Sequence, residues 1–406
     1  MVRRNRTMLA SVSNLRKSFC RAAFAVCALA LILAPANAQK FDTIAPYAIL
    51  MDSESGAVLF ERAADELMVP ASMAKIMTAR VLFDEIKRGR LKLDDEIAIS
   101  ENAWRKGGAP SGGSTMFAAL GSRIKVSDVI SGLVVLSGND AAIAIAEAVA
   151  GTEDNFARMM TQRARELNLP KSTFRNATGF ADPDQKVTAR ELAQLAHGLI
   201  RDHADLYPMF AQKEFAWNKV KQTNRNPLLF MDVGADGLKT GNIGESGFGL
   251  VGSAVQNGQR LIVVVNGLKT ARDRATEARK LLEWGFRSFE RKLLFSEGVV
   301  IGDASVYGGE HGSVGLVAKG PVHLLTPRGS SERITARISY RGPLMPPVAE
   351  GDQVARLKVM RGDVQALDIP LYAASSENVG GMTRRAVDAA YEYGVDLFRR
   401  LLSKRG

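Results

Sequence analysis

Pro70-Ala71-Ser72-Met73-Ala74-Lys75 reads as the opening of a helix. Pro70 ends an extended segment, and from Ala71 to about Lys87 the apolar residues Ile76, Ala79, Val81, Leu82 and Ile86 fall at helical spacing. Ser72 and Lys75, three apart, share one face of that helix. A hydroxyl is a poor nucleophile at neutral pH and needs a base within hydrogen-bond reach. A partly desolvated lysine serves when its pKa is depressed. The helix start adds free N–H groups and a positive dipole end, which suit a developing oxyanion. The spacing alone is not specific: Ser122 and Lys125 repeat it in the run-up to another helix.

Working downstream, Val126 to Ala150 is almost wholly apolar and reads as two buried helices, Asp128 to Leu136 and Ala141 to Ala150. They are interrupted by Ser137-Gly138-Asn139-Asp140. A polar turn between buried helices satisfies its hydrogen bonds locally or serves a site. Here Ser137 could relay a proton between Lys75 and a leaving amine, and Asn139 could hold Lys75 and a substrate amide. Ser100-x-Asn102 and Ser376-x-Asn378 carry the same triplet in polar loops, so position is the informative feature. Further on, Gly237-Leu238-Lys239-Thr240-Gly241 precedes two strands, Gly247 to Val255 and Arg260 to Asn266, joined by the hairpin signal Asn257-Gly258. That places Lys239-Thr240-Gly241 on or beside a strand of a central antiparallel sheet. Lys239 brings positive charge, Thr240 a hydroxyl for a carboxylate, and Gly241 room for close approach. An extended substrate could add to such a strand through main-chain hydrogen bonds. Arg274, on the way into the next helix, is a second candidate for a carboxylate.

Upstream, Tyr47 to Met51 and Ala57 to Glu61 read as a hairpin. Gly107 to Ser114 is glycine-rich without the lysine-serine ending of a P-loop, and reads either as a cleft wall or as a plain connector. Asn155 to Leu167 is an amphipathic helix. Thr188 opens another, Ala189 to Arg201, with Glu191 at capping-box spacing. The four histidines are scattered without ligand spacing, so they read as structural, and neither a metal nor any other cofactor is expected. The chain has no G-x-S-x-G elbow, which argues against a Ser-His-Asp hydrolase.

Residues 1–38 carry a basic n-region with Arg3, Arg4, Arg6, Arg16, Lys17 and Arg21. The apolar run Ala22 to Ala34 follows, with Ala36-Asn37-Ala38 as a cleavage site. This reads as a signal peptide. Both cysteines, Cys20 and Cys27, lie inside it, so the mature chain is expected to hold no disulfide and no thiolate site. Removing its six cations takes the formal charge from +11 to +5, a mild balance that does not call for nucleic acid. After Phe289 the chain turns rich in glycine, valine and proline. Alternating runs at Val314 to Val317, Val322 to Leu325, Ile334 to Tyr340 and Val354 to Arg361 suggest an all-β unit. At the far end, 382–405 sets Ala386, Ala390, Leu397 and Leu401 on one helical stripe flanked by Arg384, Arg385, Arg399, Arg400, Lys404 and Arg405. Such a helix reads as a membrane-surface anchor.

Ser72-x-x-Lys75, Ser137-x-Asn139 and Lys239-Thr240-Gly241, standing in this order, resemble the penicillin-interacting serine enzymes. Within them the chain is similar to the D-alanyl-D-alanine carboxypeptidases, the low-molecular-mass penicillin-binding proteins. The likeness also takes in Leu281-Leu282-Glu283-Trp284-Gly285-Phe286. It implies an α/β (α+β) fold: a β-lactamase-like catalytic domain with a central antiparallel sheet flanked by helices, and a smaller all-β C-terminal domain acting as a stalk. The expected organisation is a signal peptide (1–38), a catalytic domain (39–290), a stalk (291–375) and an amphipathic anchor helix (376–406). By motif, Ser72 is the acylated nucleophile and Lys75 its base, with Ser137 and Asn139 assisting proton transfer and substrate positioning. Lys239, Thr240 and Arg274 bind a terminal carboxylate, and the backbone N–H groups of Ser72 and Asn242 form the oxyanion hole. Many relatives carry histidine or phenylalanine where this chain has Asn242. The implied activity is removal of the terminal D-alanine from peptidoglycan stem peptides, with β-lactam antibiotics as acylating inhibitors. The implied location is the periplasm, on the outer face of the inner membrane. Alternatives are DD-endopeptidase, β-lactamase, which Gly138 disfavours, and a peptidoglycan-binding structural protein.

Overall fold

The computed structural model describes residues 41–244 and 246–386. The export segment read at 1–38 and residues 387–406 of the anchor helix expected at 376–406 lie outside the described residues; within that expectation Ser376 to Gly381 is not helical, because Glu377 and Val379 bridge to Val348 and Gly309 of the β-domain, and the helix begins at Met382. The hairpin is present as β1 (Tyr47–Asp52) and β2 (Val58–Arg62), followed by α1 (Lys75–Lys87). A helical layer follows, with α2 (Glu101–Gly107), α3 (Val126–Val134), α4 (Asn139–Ala150), α5 (Glu153–Glu166) and α6 (Ala189–Asp202). Two short ribbons ornament it: β3 (Glu96–Ala98) with β4 (Arg123–Lys125), and β5 (Glu214–Trp217) with β6 (Val220–Thr223). The chain then lays down β7 (Ala235–Ile243), β8 (Gly247–Gln256) and β9 (Gln259–Leu268) and closes the sheet with α7 (Ala271–Ser288).

The five-stranded sheet has the order β2-β1-β9-β8-β7, and all its pairings are antiparallel. Its central strand, Leu261-Ile262-Val263-Val264-Val265, is apolar throughout because both faces are covered. Ile262 and Val264 join the core beneath α1 and the helical layer, whereas Leu261, Val263 and Val265 join the core beneath α7. α7 meets the sheet through Ala278, Leu281 and Leu282, and Gly285 lets it come close: a Cβ there would lie 2.6 Å from Leu50. Burying each such leucine contributes about 1.5–3 kcal/mol. Asn257 and Gly258 both have positive φ (50° and 75°), as a type I′ hairpin requires. Thr188 caps α6 by accepting from the Glu191 N–H at 3.1 Å. Glu191 does not close the capping box; its carboxylate accepts from Lys171 N and Ser172 Oγ instead. His203, buried against Asp84 at 3.0 Å, has the structural role expected of it.

The β-domain contains β10 (Phe289–Phe295), β11 (Gly302–Ser305), β12 (Ser313–Val317), β13 (Val322–Pro327), β14 (Ile334–Ser339), β15 (Gln353–Arg361) and β16 (Val364–Ala373). Five of these form a sheet of order β11-β12-β16-β15-β14, and β10 pairs with β13 as a separate ribbon. The ribbon joins the two bodies. Leu325 of β13 packs into the core under α7, while its neighbour Leu324 packs into the third core with Leu316, Leu357 and Leu371.

Candidate active site

Ser72 sits in a tight turn rather than in an α-helix. Ala71–Ala74 is a single 3-10 turn, closed by the Met73 N–H on the Pro70 carbonyl at 3.1 Å, and α1 begins only at Lys75. Ala71 has φ +47°. The turn is wedged between two glycines. A Cβ on Gly179 would lie 2.0 Å from the Ala71 carbonyl oxygen, and one on Gly241 would lie 2.8 Å from the Pro70 carbonyl oxygen. Close approach of a loop on one side and of β7 on the other holds the serine at the cleft, and only glycine permits either contact.

Lys75 is 1% exposed. Its Nζ lies 3.1 Å from Ser72 Oγ, 2.7 Å from Asn139 Oδ1 and 2.5 Å from the Thr178 carbonyl oxygen. Burial drives its pKa down from the ordinary lysine value to about 7, against the opposing pull of Asp140 and Glu153. Asn139 is the first residue of α4. Next to it, Asp140 is fully buried and accepts from Thr115 Oγ1, Met116 N and Ala118 N, which pins the loop in front of the helix. Ser137, with φ +60° and 3% exposure, faces the same cavity without a hydrogen bond to Lys75.

The cavity measures about 650 Å³. Ser72, Ser137, Asn139, Thr240, Gly241, Asn242 and Arg274 all line it, so the structure brings together every residue singled out in the sequence, with Lys75 and Lys239 buried just behind. Gly112, Gly113 and Ser114 form one wall, which decides between the two readings of the glycine-rich loop. β7 is the edge strand of the sheet, and its residues Thr240 to Ile243 border the opening. Lys239 donates to the Thr240 carbonyl at 3.1 Å. Burial, then the charges of Lys75, Arg274 and Arg225, hold it well below the ordinary lysine value. Arg274 lies over the Phe248 ring at 5.7 Å, with Nε buried and unpartnered.

Two contributors carry no motif. The Thr178 carbonyl belongs to a loop folded around Asn176 Oδ1, which accepts from Thr178 Oγ1, Gly179 N and Phe180 N. Arg225 lines the cavity beside Ser137, its N–H bonded to the Val135 carbonyl. Among the described residues, Lys239, Arg225 and Arg274 form no ion pair with a protein carboxylate, and no acidic side chain lines the cavity. Such a site is prepared for an anion.

The family model described as D-alanyl-D-alanine carboxypeptidase matches residues 34–270, and that of the penicillin-binding protein 5 C-terminal domain matches 289–378. D-alanyl-D-alanine carboxypeptidase DacC of Escherichia coli (strain K12) is 37% identical over 343 residues, 84% of this chain and 86% of its own. Penicillin binding protein 5 from Haemophilus influenzae superposes with a TM-score of 0.74 at 33% identity, covering 84% of this chain and 99% of that one. Penicillin-binding protein D2 from Listeria monocytogenes, solved in an ampicillin-bound form, superposes with a TM-score of 0.53 at 28% identity, over 61% of this chain and 99% of that one. The fold is that of the penicillin-binding-protein and β-lactamase class, with an all-β domain at its C-terminal end. The chain belongs to the D-alanyl-D-alanine carboxypeptidase family and is a serine-type peptidase.

Proposed function

We propose that the protein removes the terminal D-alanine of peptidoglycan stem pentapeptides through an acyl-enzyme on Ser72. The observation that carries this is the buried Lys75 amine at 3.1 Å from Ser72 Oγ. A neutral amine has two N–H donors and one lone pair. Asn139 Oδ1 and the Thr178 carbonyl accept the two donors, which leaves the lone pair for the serine proton. The substrate adds in extended form along β7. Its terminal carboxylate is held by Thr240, Lys239 and Arg274, and its scissile carbonyl points at the backbone N–H groups of Ser72 and Asn242, which stabilise the tetrahedral oxyanion. Lys75 takes the serine proton as Oγ attacks. Ser137 passes a proton on to the departing D-alanine amine, and Asn139 orients both Lys75 and the substrate amide. Water, activated by the same lysine, then releases the shortened peptide. β-Lactams acylate Ser72 by the same route. Among the described residues no acidic side chain lines the cavity, which separates this site from a β-lactamase with its own deacylating glutamate.

The protein acts after export, in the periplasm, on the outer face of the inner membrane, where the segment from Met382 onward serves as an in-plane anchor. Incubation of the mature chain with a fluorescent penicillin, then intact mass and peptide mapping, tests the assignment. One adduct on Ser72, lost in Ser72→Ala while the thermal transition is kept, is expected. Labelling of Ser122, or persistence of the adduct in the alanine variant, overturns it.

A further inference from the structure

Three exposed large apolar side chains are Met382, at 86%, Met345, at 68%, and Val379, at 55%; Ile44, in the catalytic domain, and Leu293, on β10, reach 67% and 55%. Met382, Met345 and Val379 belong to one end of the β-domain, where three segments are laced by main-chain hydrogen bonds. Tyr307 N donates to the Leu344 carbonyl, Val348 N to the Glu377 carbonyl, and Gly380 N to the Gly308 carbonyl, at 2.8, 2.9 and 2.8 Å. Buried Glu377 tightens the knot by accepting from His311 N and Gly312 N. The helical start at 382–386 is seated on the same knot, since Arg384 reaches the His311 carbonyl at 3.4 Å. Apolar groups gathered at one end of a fixed platform mark a candidate interaction site.

The sequence that leaves this platform indicates which partner. Beyond Ala386 come Tyr391, Leu397, Phe398 and Leu401, with Asp388, Glu392 and Asp396 in the first half and Arg399, Arg400, Lys404 and Arg405 gathered at the end. That composition suits the interface of an anionic bilayer. We infer that this end of the β-domain is itself a lipid contact, with Met345 and Val379 entering the interface beside the tail. This rests on the reading of 382–405 as a membrane-surface segment. It goes beyond it in giving the folded domain a share of the binding and a fixed orientation, with the tip against the lipid.

The mature chain has no cysteine, so single labels are available. Full-length mature protein carrying Met345→Cys or, as a control, Phe230→Cys (Phe230 is 51% exposed in the catalytic domain) is labelled with an environment-sensitive fluorophore. It is then mixed with vesicles of phosphatidylethanolamine and phosphatidylglycerol. The label at 345 should blue-shift and be quenched by brominated acyl chains, and the label at 230 should do neither. In co-sedimentation, Met345→Asp should bind about tenfold more weakly, the loss expected for withdrawing one buried methionine from the interface. Hydrolysis of soluble peptides should be unchanged. Equal sedimentation of wild type and Met345→Asp, or an unshifted label on protein that does sediment, overturns the proposal and leaves the tail as anchor. A label at 345 already shielded before vesicles are added puts the protein's own tail on the patch and overturns it as well. Failure of wild type to sediment removes the underlying membrane reading.

Discussion

The pH dependence of acylation follows from one buried amine. With Lys75 titrating at about 7, about half of it is neutral at pH 7, about a tenth at pH 6 and about a hundredth at pH 5. Acylation by penicillin should therefore sit on a plateau above pH 8, fall about fivefold between pH 7 and 6, and fall about tenfold more by pH 5. Lys239 should add an alkaline limb, because burial and the charges of Lys75 and Arg274 hold its ammonium well below the ordinary lysine value. The sign can be tested separately. Glu153 favours the charged form of Lys75, so Glu153→Gln should move the acid limb to lower pH, with more neutral amine at pH 6 and faster acylation there. The assay is stopped-flow or quenched acylation from pH 5 to 9, with thermal transitions recorded at each pH to show that the fold persists. A flat profile, or a limb centred below pH 5 as for a carboxylate base, refutes the reasoning, as does a Glu153→Gln limb displaced upward.

Lys75→Arg keeps the charge but cannot give it up near neutral pH. It should abolish the penicilloyl adduct by intact mass, and near wild-type labelling would show that another group takes the proton. Arg225→Gln removes an exposed cation from the cavity rim. It should raise KM for carboxylate-terminated peptides about fivefold at low salt and less at high salt, with kcat little changed; an equal effect on C-terminal amides would disprove a carboxylate role. Gly179→Ala puts a Cβ at 2.0 Å from the Ala71 oxygen at a φ of +84°. It should cost about 1–3 kcal/mol of stability and at least about a hundredfold in acylation, read by thermal melts and labelling rate.

Much of the site was legible because side chains at fixed spacing carry it. Ser72 and Lys75 sit one turn apart whether the turn is α or 3-10. Lys239 to Gly241 announce themselves before a hairpin whose Asn257-Gly258 turn admits little else. What stayed hidden has no spacing. A main-chain acceptor such as the Thr178 carbonyl is offered by every residue, and its role depends on where Asn176 folds the loop. Arg225 sits in a short polar link that reaches the cavity through main-chain and amide contacts, among them its own N–H on the Val135 carbonyl and Asn224 on Lys213 and Gln212, none of which has a spacing to read. The 3-10 turn at Ala71 is imposed from outside by Gly179 and Gly241, against a local pattern that favours an ordinary helix. In the β-domain the alternating runs do not reveal β10, the four-residue β11 or β16. Glu290-Arg291-Lys292 breaks the alternation in β10, and Asp368 and Pro370 break it in β16.

An exposed strand edge accepts peptide backbone without regard to its owner. β7 is such an edge, and in the function proposed above it takes the substrate, so it is equally open to another copy of the same protein, the usual first step towards aggregation. Arg225 and Arg274 line the cavity that this edge borders, and among the described residues no acidic side chain lines it to neutralise them, so a second copy laid there would bring like charges together. The charges that suit an anionic peptide thus oppose a second copy of the chain.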